Sequence, residues 1–112
     1  MIAATPKPPY YAVIFTATQT GEVEGYGKMA EAMARLASQQ PGYLGIEHAR
    51  DGLGITISYW ADEASIAAWK ANADHQLAQR FGREKWYSAY AIRIAKVERD
   101  YAFELDRAVS PA

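Results

Sequence analysis

Tyr43-Leu44-Gly45-Ile46-Glu47-His48-Ala49-Arg50, followed by Asp51-Gly52-Leu53 and then Gly54-Ile55-Thr56-Ile57-Ser58-Tyr59-Trp60, is the stretch that decides the fold. Two runs rich in β-branched and aromatic residues flank a short Asp-Gly turn. The alternation of Leu44, Ile46 and His48 against Ile55, Ile57 and Tyr59 marks two antiparallel neighbours joined as a hairpin.

Working outward toward the N-terminus, Pro41-Gly42 ends whatever precedes the hairpin, because proline disfavours the α conformation in the residue before it. What precedes it is helical: Met29, Ala32, Met33, Leu36 and Ala37 recur at helical spacing, with Lys28, Glu31 and Arg35 on the other side. A polar connection from Gly21 to Gly27 separates this helix from a strand over Tyr10 to Thr18. In that strand Tyr11, Val13 and Phe15 alternate with Ala12, Ile14 and Thr16, so neither face is wet. Pro6, Pro8 and Pro9 make residues 1–9 an extended lead-in.

Toward the C-terminus, Ala61-Asp62-Glu63 opens a second helix with Asp62 as its candidate N-cap and Ile66, Trp69, Ala73 and Leu77 as its apolar stripe. A last strand, Ser88 to Val97, carries Tyr90, Ile92 and Ile94 on one face and Ala89, Ala91 and Ala95 on the other. The order βαββαβ is that of a ferredoxin-like α+β domain over residues 10–107: a four-stranded antiparallel sheet with both helices on one face. Residues 108–112 are expected to form a disordered tail. Helices cover one sheet face, yet the strands are apolar on both, so a second copy is expected on the open face and the protein is expected to be a homodimer. The competing account folds the segment Glu98 to Arg107, with Tyr101 and Phe103, back over the same surface.

Composition narrows the function classes. The chain has 112 residues, half of them hydrophobic, and a formal net charge of -1, without the positive field that a phosphate backbone demands. Nucleic acid is therefore not an expected partner. With no cysteine there is neither a disulfide framework nor a thiolate metal site, which suits a reducing cytoplasm. No segment has the length or apolarity of a signal peptide or a membrane span. Two histidines, with no acidic residues at ligand spacing around them, predict no metal. Gly25-Tyr26-Gly27-Lys28 has the outline of a phosphate loop. It lacks the glycine five residues before Gly27, however, and has Met29 where serine or threonine is needed.

Pro41-Gly42-Tyr43-Leu44-Gly45, Ser58-Tyr59-Trp60, Ile66-Ala67-Ala68-Trp69-Lys70 and His75 together resemble the antibiotic biosynthesis monooxygenase family of small dimeric α+β barrels. Trp86-Tyr87-Ser88 and Lys96-Val97-Glu98-Arg99 are similar to segments of uncharacterised bacterial members. The resemblance implies two sheets facing each other across a dimer, with a pocket in each protomer between sheet and helices. The family includes cofactor-free oxygenases of polycyclic phenols, haem-degrading enzymes and proteins of no known activity.

Trp69, Asn72 and His75 become candidate catalytic residues because family members place Trp, Asn and His side chains around their pockets. On a continuous helix His75 falls opposite the apolar stripe and faces water; a break at Asn72 to Asp74 would turn it toward the pocket as an acid, a base or an axial haem ligand. Trp69 either fills the core or stacks on substrate. Haem-degrading relatives carry an asparagine on the first strand and a more distant tryptophan. Here Thr16 and Thr18 occupy that strand and Trp69 precedes His75 by six residues, so haem is the weaker reading and no cofactor is expected. A cofactor-free oxygenase needs an electron-rich substrate in a dry pocket with polar groups to steady a phenolate, which Tyr43, Tyr59, Trp60, Asn72 and Arg93 are placed to supply. Tyrosine and tryptophan on strands are more often packing residues. His48, a lone histidine on the second strand, is read as a satisfied sheet residue. Two functions stay open: oxygenation of a small electron-rich aromatic or quinol, or non-catalytic binding of a small hydrophobic molecule by a sensor or accessory protein.

Overall fold

A computed structural model describes residues 2–21, 24–76 and 86–105. Its elements follow the order β1 (Tyr10–Gln19), α1 (Tyr26–Ser38), β2 (Tyr43–Asp51), β3 (Leu53–Trp60), α2 (Glu63–Gln76) and β4 (Tyr87–Val97). The four strands form one antiparallel sheet in the order β2-β3-β1-β4, the ferredoxin-like arrangement. Residues 2–9 contain no helix or strand, as their prolines require. The expected tail at 108–112 and the stripe residue Leu77 lie outside the described residues.

Helix α1 ends where the sequence must turn. The side-chain amide of Gln40 donates to the Leu36 carbonyl at 3.1 Å, and Gly42, at φ 84°, carries the chain into β2. Only glycine suits Gly42: the conformation is left-handed, and a Cβ there would run into the side chain of Ser65 at the start of α2. Asp62 caps α2 by accepting the Ser65 N–H at 2.7 Å. The helix then runs without a break through Asn72 to Asp74, as far as Gln76.

The hairpin register settles which face each side chain takes. Asp51 opposes Leu53, so Ile46 opposes Ser58 and His48 opposes Thr56. The rows Ile46/His48 and Ile55/Ile57/Tyr59 therefore point to opposite faces, since residues directly across a ladder share a face. On the helix side, Tyr11, Val13 and Phe15 of β1 stand between Trp60, Ser58 and Thr56 of β3 and Lys96, Ile94 and Ile92 of β4. Ala12, Ile14 and Thr16 lie on the far face with Tyr59, Ile57 and Ile55, and with Ala95, Arg93 and Ala91.

The core is built on Trp60, which is fully buried, with Ala37 of α1 and Ile66 of α2. Tyr11, Val13, Tyr43 and Trp69 complete it. On the far face a polar seam holds the residues flanking the sheet, Ala3 before β1 and Asp100 after β4. Ala3 donates its backbone N–H to Glu47 at 2.8 Å, Tyr59 donates its hydroxyl to the same carboxylate at 2.7 Å, and Tyr10 donates to Asp100 at 2.5 Å. Residues 98–105 are exposed throughout, with Tyr101 at 87% and Phe103 at 86%, so among the described residues this segment does not cover the far face as one account expected; 106–107 lie outside the described residues.

Candidate functional site

Between the helices and the sheet lies a cavity of about 240 Å³. Its floor is the helix-side face of the sheet, chiefly Val13, Phe15, Thr56 and Ser58. Its roof is Met29 and Met33 of α1 with Ile66 and Trp69 of α2. The helical repeat puts Met29 and Met33 one turn apart on the face turned to the sheet, and Ile66, Trp69 and Ala73 likewise. The wall is overwhelmingly apolar, which suits an uncharged or delocalised ring system.

Aromatic rings define both ends of the cavity. At one end Trp69 stacks on Trp60, with centroids 5.9 Å apart and an interplanar angle of 21°, and Tyr43 meets Trp60 edge-on at 5.7 Å. The Trp60 indole N–H donates to Ser58 Oγ at 2.9 Å, so the Ser58 hydroxyl, buried on the cavity floor, can turn its own proton toward a bound molecule. At the other end Phe15 packs against Tyr87 and Tyr90, both at 5.4 Å, and Tyr26 meets Tyr87 edge-on at 6.0 Å. Trp86, buried just before β4, donates its indole N–H to the Glu24 carbonyl at 2.9 Å and so holds the loop that positions Tyr26.

This second end is also the polar one. Burial first, then the hydrogen bond with Tyr26, push the Tyr87 phenol well above the ordinary tyrosine range, so Tyr87 stays protonated at neutral pH and acts as a donor. Behind Tyr26, Arg50 donates to its hydroxyl at 3.3 Å and holds its guanidinium 5.5 Å from the ring centroid. Arg50 reaches it by crossing Gly54, its partner across the hairpin, where a Cβ would collide with the guanidinium. On the α2 wall Lys70 pairs with Asp74 at 2.7 Å, placing one cation and the one carboxylate of the described wall at the rim.

Of the residues singled out from sequence, the structure brings only Trp69 onto the cavity wall. Asn72 is part-buried on α2 and His75 is exposed near its end, neither on the wall, because the helix continues where a break would have re-aimed the histidine. Trp60 and Tyr43 stand one layer back, as the support on which Trp69 rests. Tyr59 and Arg93 belong to the far face, Tyr59 bonded to Glu47 and Arg93 exposed. His48 is exposed on β2. Tyr26, Tyr87, Thr56, Ser58 and Lys70 were not picked out as site residues. The available signals were weak: a tyrosine between two glycines at 25–27 and the Trp86-Tyr87-Ser88 segment.

Neither histidine is on the described wall, so none of its residues is a histidine ligand for haem. Among the described residues no three His, Cys, Asp or Glu side chains gather as a metal site, and no helix is long and apolar enough to cross a membrane.

The model of the family described as antibiotic biosynthesis monooxygenase matches residues 9–80, so the chain belongs to that family. It is 48% identical over 105 residues to the uncharacterised protein YqjZ of Bacillus subtilis, covering 92% of each. It is 29% identical over 92 residues to a jasmonate monooxygenase of Pyricularia oryzae, covering 78% of this chain and 43% of that longer protein. Among solved structures it is similar to SnoaB, a cofactor-independent oxygenase from Streptomyces nogalater, with a TM-score of 0.65 at 15% identity over 81% of this chain and 95% of that one. It is equally similar in fold to a mutant of MhuD carrying two manganese protoporphyrin IX molecules per active site, with a TM-score of 0.65 at 13% identity over 83% and 99%.

Proposed function

We propose that the protein is a monooxygenase that works without a tightly held cofactor on a small electron-rich aromatic or quinol. The observation that carries this reading is the aromatic cavity, whose few polar groups are tyrosine and smaller hydroxyls with the Lys70–Asp74 pair at one side. Such a wall suits a delocalised anion: Ser58 and Lys70 can donate to a phenolate oxygen while Trp69 and Phe15 flank the ring. The named relatives support the reading from outside, one a monooxygenase and one a cofactor-independent oxygenase.

In this reaction the bound phenolate gives one electron to dioxygen. The resulting radical pair joins at a ring carbon ortho or para to the oxygen that bears a hydrogen, and loss of that hydrogen with the outer peroxide oxygen, as water, leaves a carbonyl. One oxygen atom enters the product, the other leaves as water, and the substrate supplies all the electrons. The protein's part is to favour the ionised substrate, exclude water and hold the reacting carbon open to oxygen. The small volume favours one or two fused rings over larger systems.

The protein acts as a cytoplasmic homodimer, with the far sheet faces stacked. Leu53 and Ile55 there are 46% and 39% exposed in the single chain, and the alanines of β4 add to the apolar surface. The second reading, a non-catalytic binder, draws on the wall's lack of a histidine and on the pairing of its one carboxylate with Lys70.

Oxygen uptake by the purified protein with naphthoquinols and monocyclic quinols, alongside anaerobic titration of tryptophan fluorescence, separates the two. Uptake above the uncatalysed rate, reduced in Tyr87→Phe and Trp69→Ala, is expected. Saturable binding with no uptake across the panel would favour the binder.

A further inference from the structure

Among the described residues, Ser58 is the one polar side chain that is both buried, at 7% exposed, and on the cavity wall. Across the ladders its row of the floor holds Ile46 on one side and Val13 and then Ile94 on the other, so its surroundings are otherwise apolar. Its oxygen accepts the Trp60 indole N–H at 2.9 Å. Trp60 is fully buried, so that N–H must keep its acceptor, and the bond pins one lone pair of Ser58. A serine hydroxyl also carries one proton to give away, and among the described residues no group accepts it.

We propose that Ser58, its hydroxyl oriented by Trp60, selects the ligand by an oxygen that arrives without a proton, a phenolate or a ring carbonyl, and sets which way round the ring lies. The contact itself does not depend on the oxygenase reading; its bearing on the reaction rests on that reading. An acceptor oxygen completes the Ser58 bond. A C–H edge strands the buried proton, and an N–H or O–H donor can use the second lone pair but strands the same proton. Lys70, the other donor on the wall, competes poorly, because its ammonium is paired with Asp74 at 2.7 Å and an anionic oxygen there would meet the carboxylate. With the oxygen at Ser58, the ring lies against Trp69 and its far carbons point along β3 toward Thr56 and Phe15, which face each other across the ladder. Trp60 is thereby a positioning residue: it is off the wall and acts through the Ser58 hydroxyl.

The test is equilibrium dialysis of the full chain under nitrogen, comparing 1-naphthol at a pH where it is ionised with naphthalene, which has the same rings and no oxygen. The ratio of the two affinities is expected to fall about tenfold or more toward naphthalene in Ser58→Ala, as a charged acceptor loses its donor. Trp60→Phe keeps a ring in the core and removes the N–H, so the ratio should fall roughly two- to threefold. In Ser58→Ala/Trp60→Phe the second change should add nothing to the first. A merely structural role for Trp60 would lower both affinities alike and leave the ratio unmoved. An unchanged ratio in Ser58→Ala, or no binding of naphtholate by the natural protein, overturns the inference; should Ser58→Ala not fold, an unchanged ratio in Trp60→Phe does so. A further fall in the double variant overturns the part given to Trp60. Oxygen uptake is read separately, so its failure would overturn the proposed chemistry and leave the Ser58 contact standing.

Discussion

Trp69 lies on Trp60 with ring centroids 5.9 Å apart, so the residue on the cavity wall is positioned by the most buried side chain of the core. Trp60 in turn is fixed by Tyr43 and by its N–H bond to Ser58, itself a floor residue. Core and site are one continuous aromatic layer. The cavity's shape therefore depends on a residue that never touches its contents.

Removing Trp60 should accordingly damage both stability and binding. Trp60→Ala is expected to cost about 3–5 kcal/mol in urea unfolding, as for other buried aromatic truncations. Trp69→Ala, at a part-buried position, should cost less stability and at least as much ligand affinity. Equal stability losses would mean that the stack is not organised around Trp60.

At Gly42 a left-handed φ of 84° coincides with the close approach of Ser65. Gly42→Ala should therefore destabilise the protein by about 1–3 kcal/mol, through backbone strain and a shift at the start of α2. Urea unfolding with and without Ser65→Gly measures the two parts, since the second substitution relieves only the collision.

Glu47 is held below the ordinary carboxyl value of 4.5, first by the Tyr59 hydroxyl and then by the Ala3 N–H. A lowered folded pKa gives stability that is fully present above the unfolded value and is lost as pH falls through the folded one. Unfolding midpoints should thus decline below about pH 4.5, and Glu47→Gln should flatten that decline. The partner phenol, Tyr59, is pushed up to about 12 by burial and by the same bond. Ultraviolet titration should show it ionising after the ordinary tyrosines, and earlier in Glu47→Gln.

The two ends of the candidate site can be told apart by ligand binding. Tyr87→Phe removes the hydrogen bond that holds Tyr26 at the polar end and should weaken a phenolate ligand by roughly two- to tenfold, the worth of one net hydrogen bond. His75→Ala, at an exposed position off the wall, should leave affinity within about twofold, as most surface substitutions leave stability and contacts little changed. A large loss from His75→Ala with no effect of Tyr87→Phe would return the site to the end of α2.

Much of the fold was legible in the residues. Asp62 announced its cap, Pro41-Gly42 the end of α1, and the alternation on either side of Gly52 the hairpin, because each depends on contacts a few residues apart. The site was less so. Trp69 entered through the family resemblance, and its place in the helical stripe is what turns it inward. Tyr26, Arg50 and Tyr87 come from three separate elements, and no local pattern joins them. Tyr43, Tyr59, Trp60 and Arg93 have suitable chemistry for a pocket, but whether each faces it depends on sheet register and on the layer in which it packs.

By itself the sequence determined the order βαββαβ and the two-sided apolar character of the strands, since periodicity, caps and turn residues act over short range, while particular segments carried the family resemblance. Only the tertiary structure decided that α2 runs unbroken and leaves His75 in water, that Arg50 crosses Gly54 to reach Tyr26, and that Tyr10 bonds Asp100 just past β4. Those outcomes depend on residues distant in sequence meeting in space, where register and packing, rather than composition, set which side chains share a cavity.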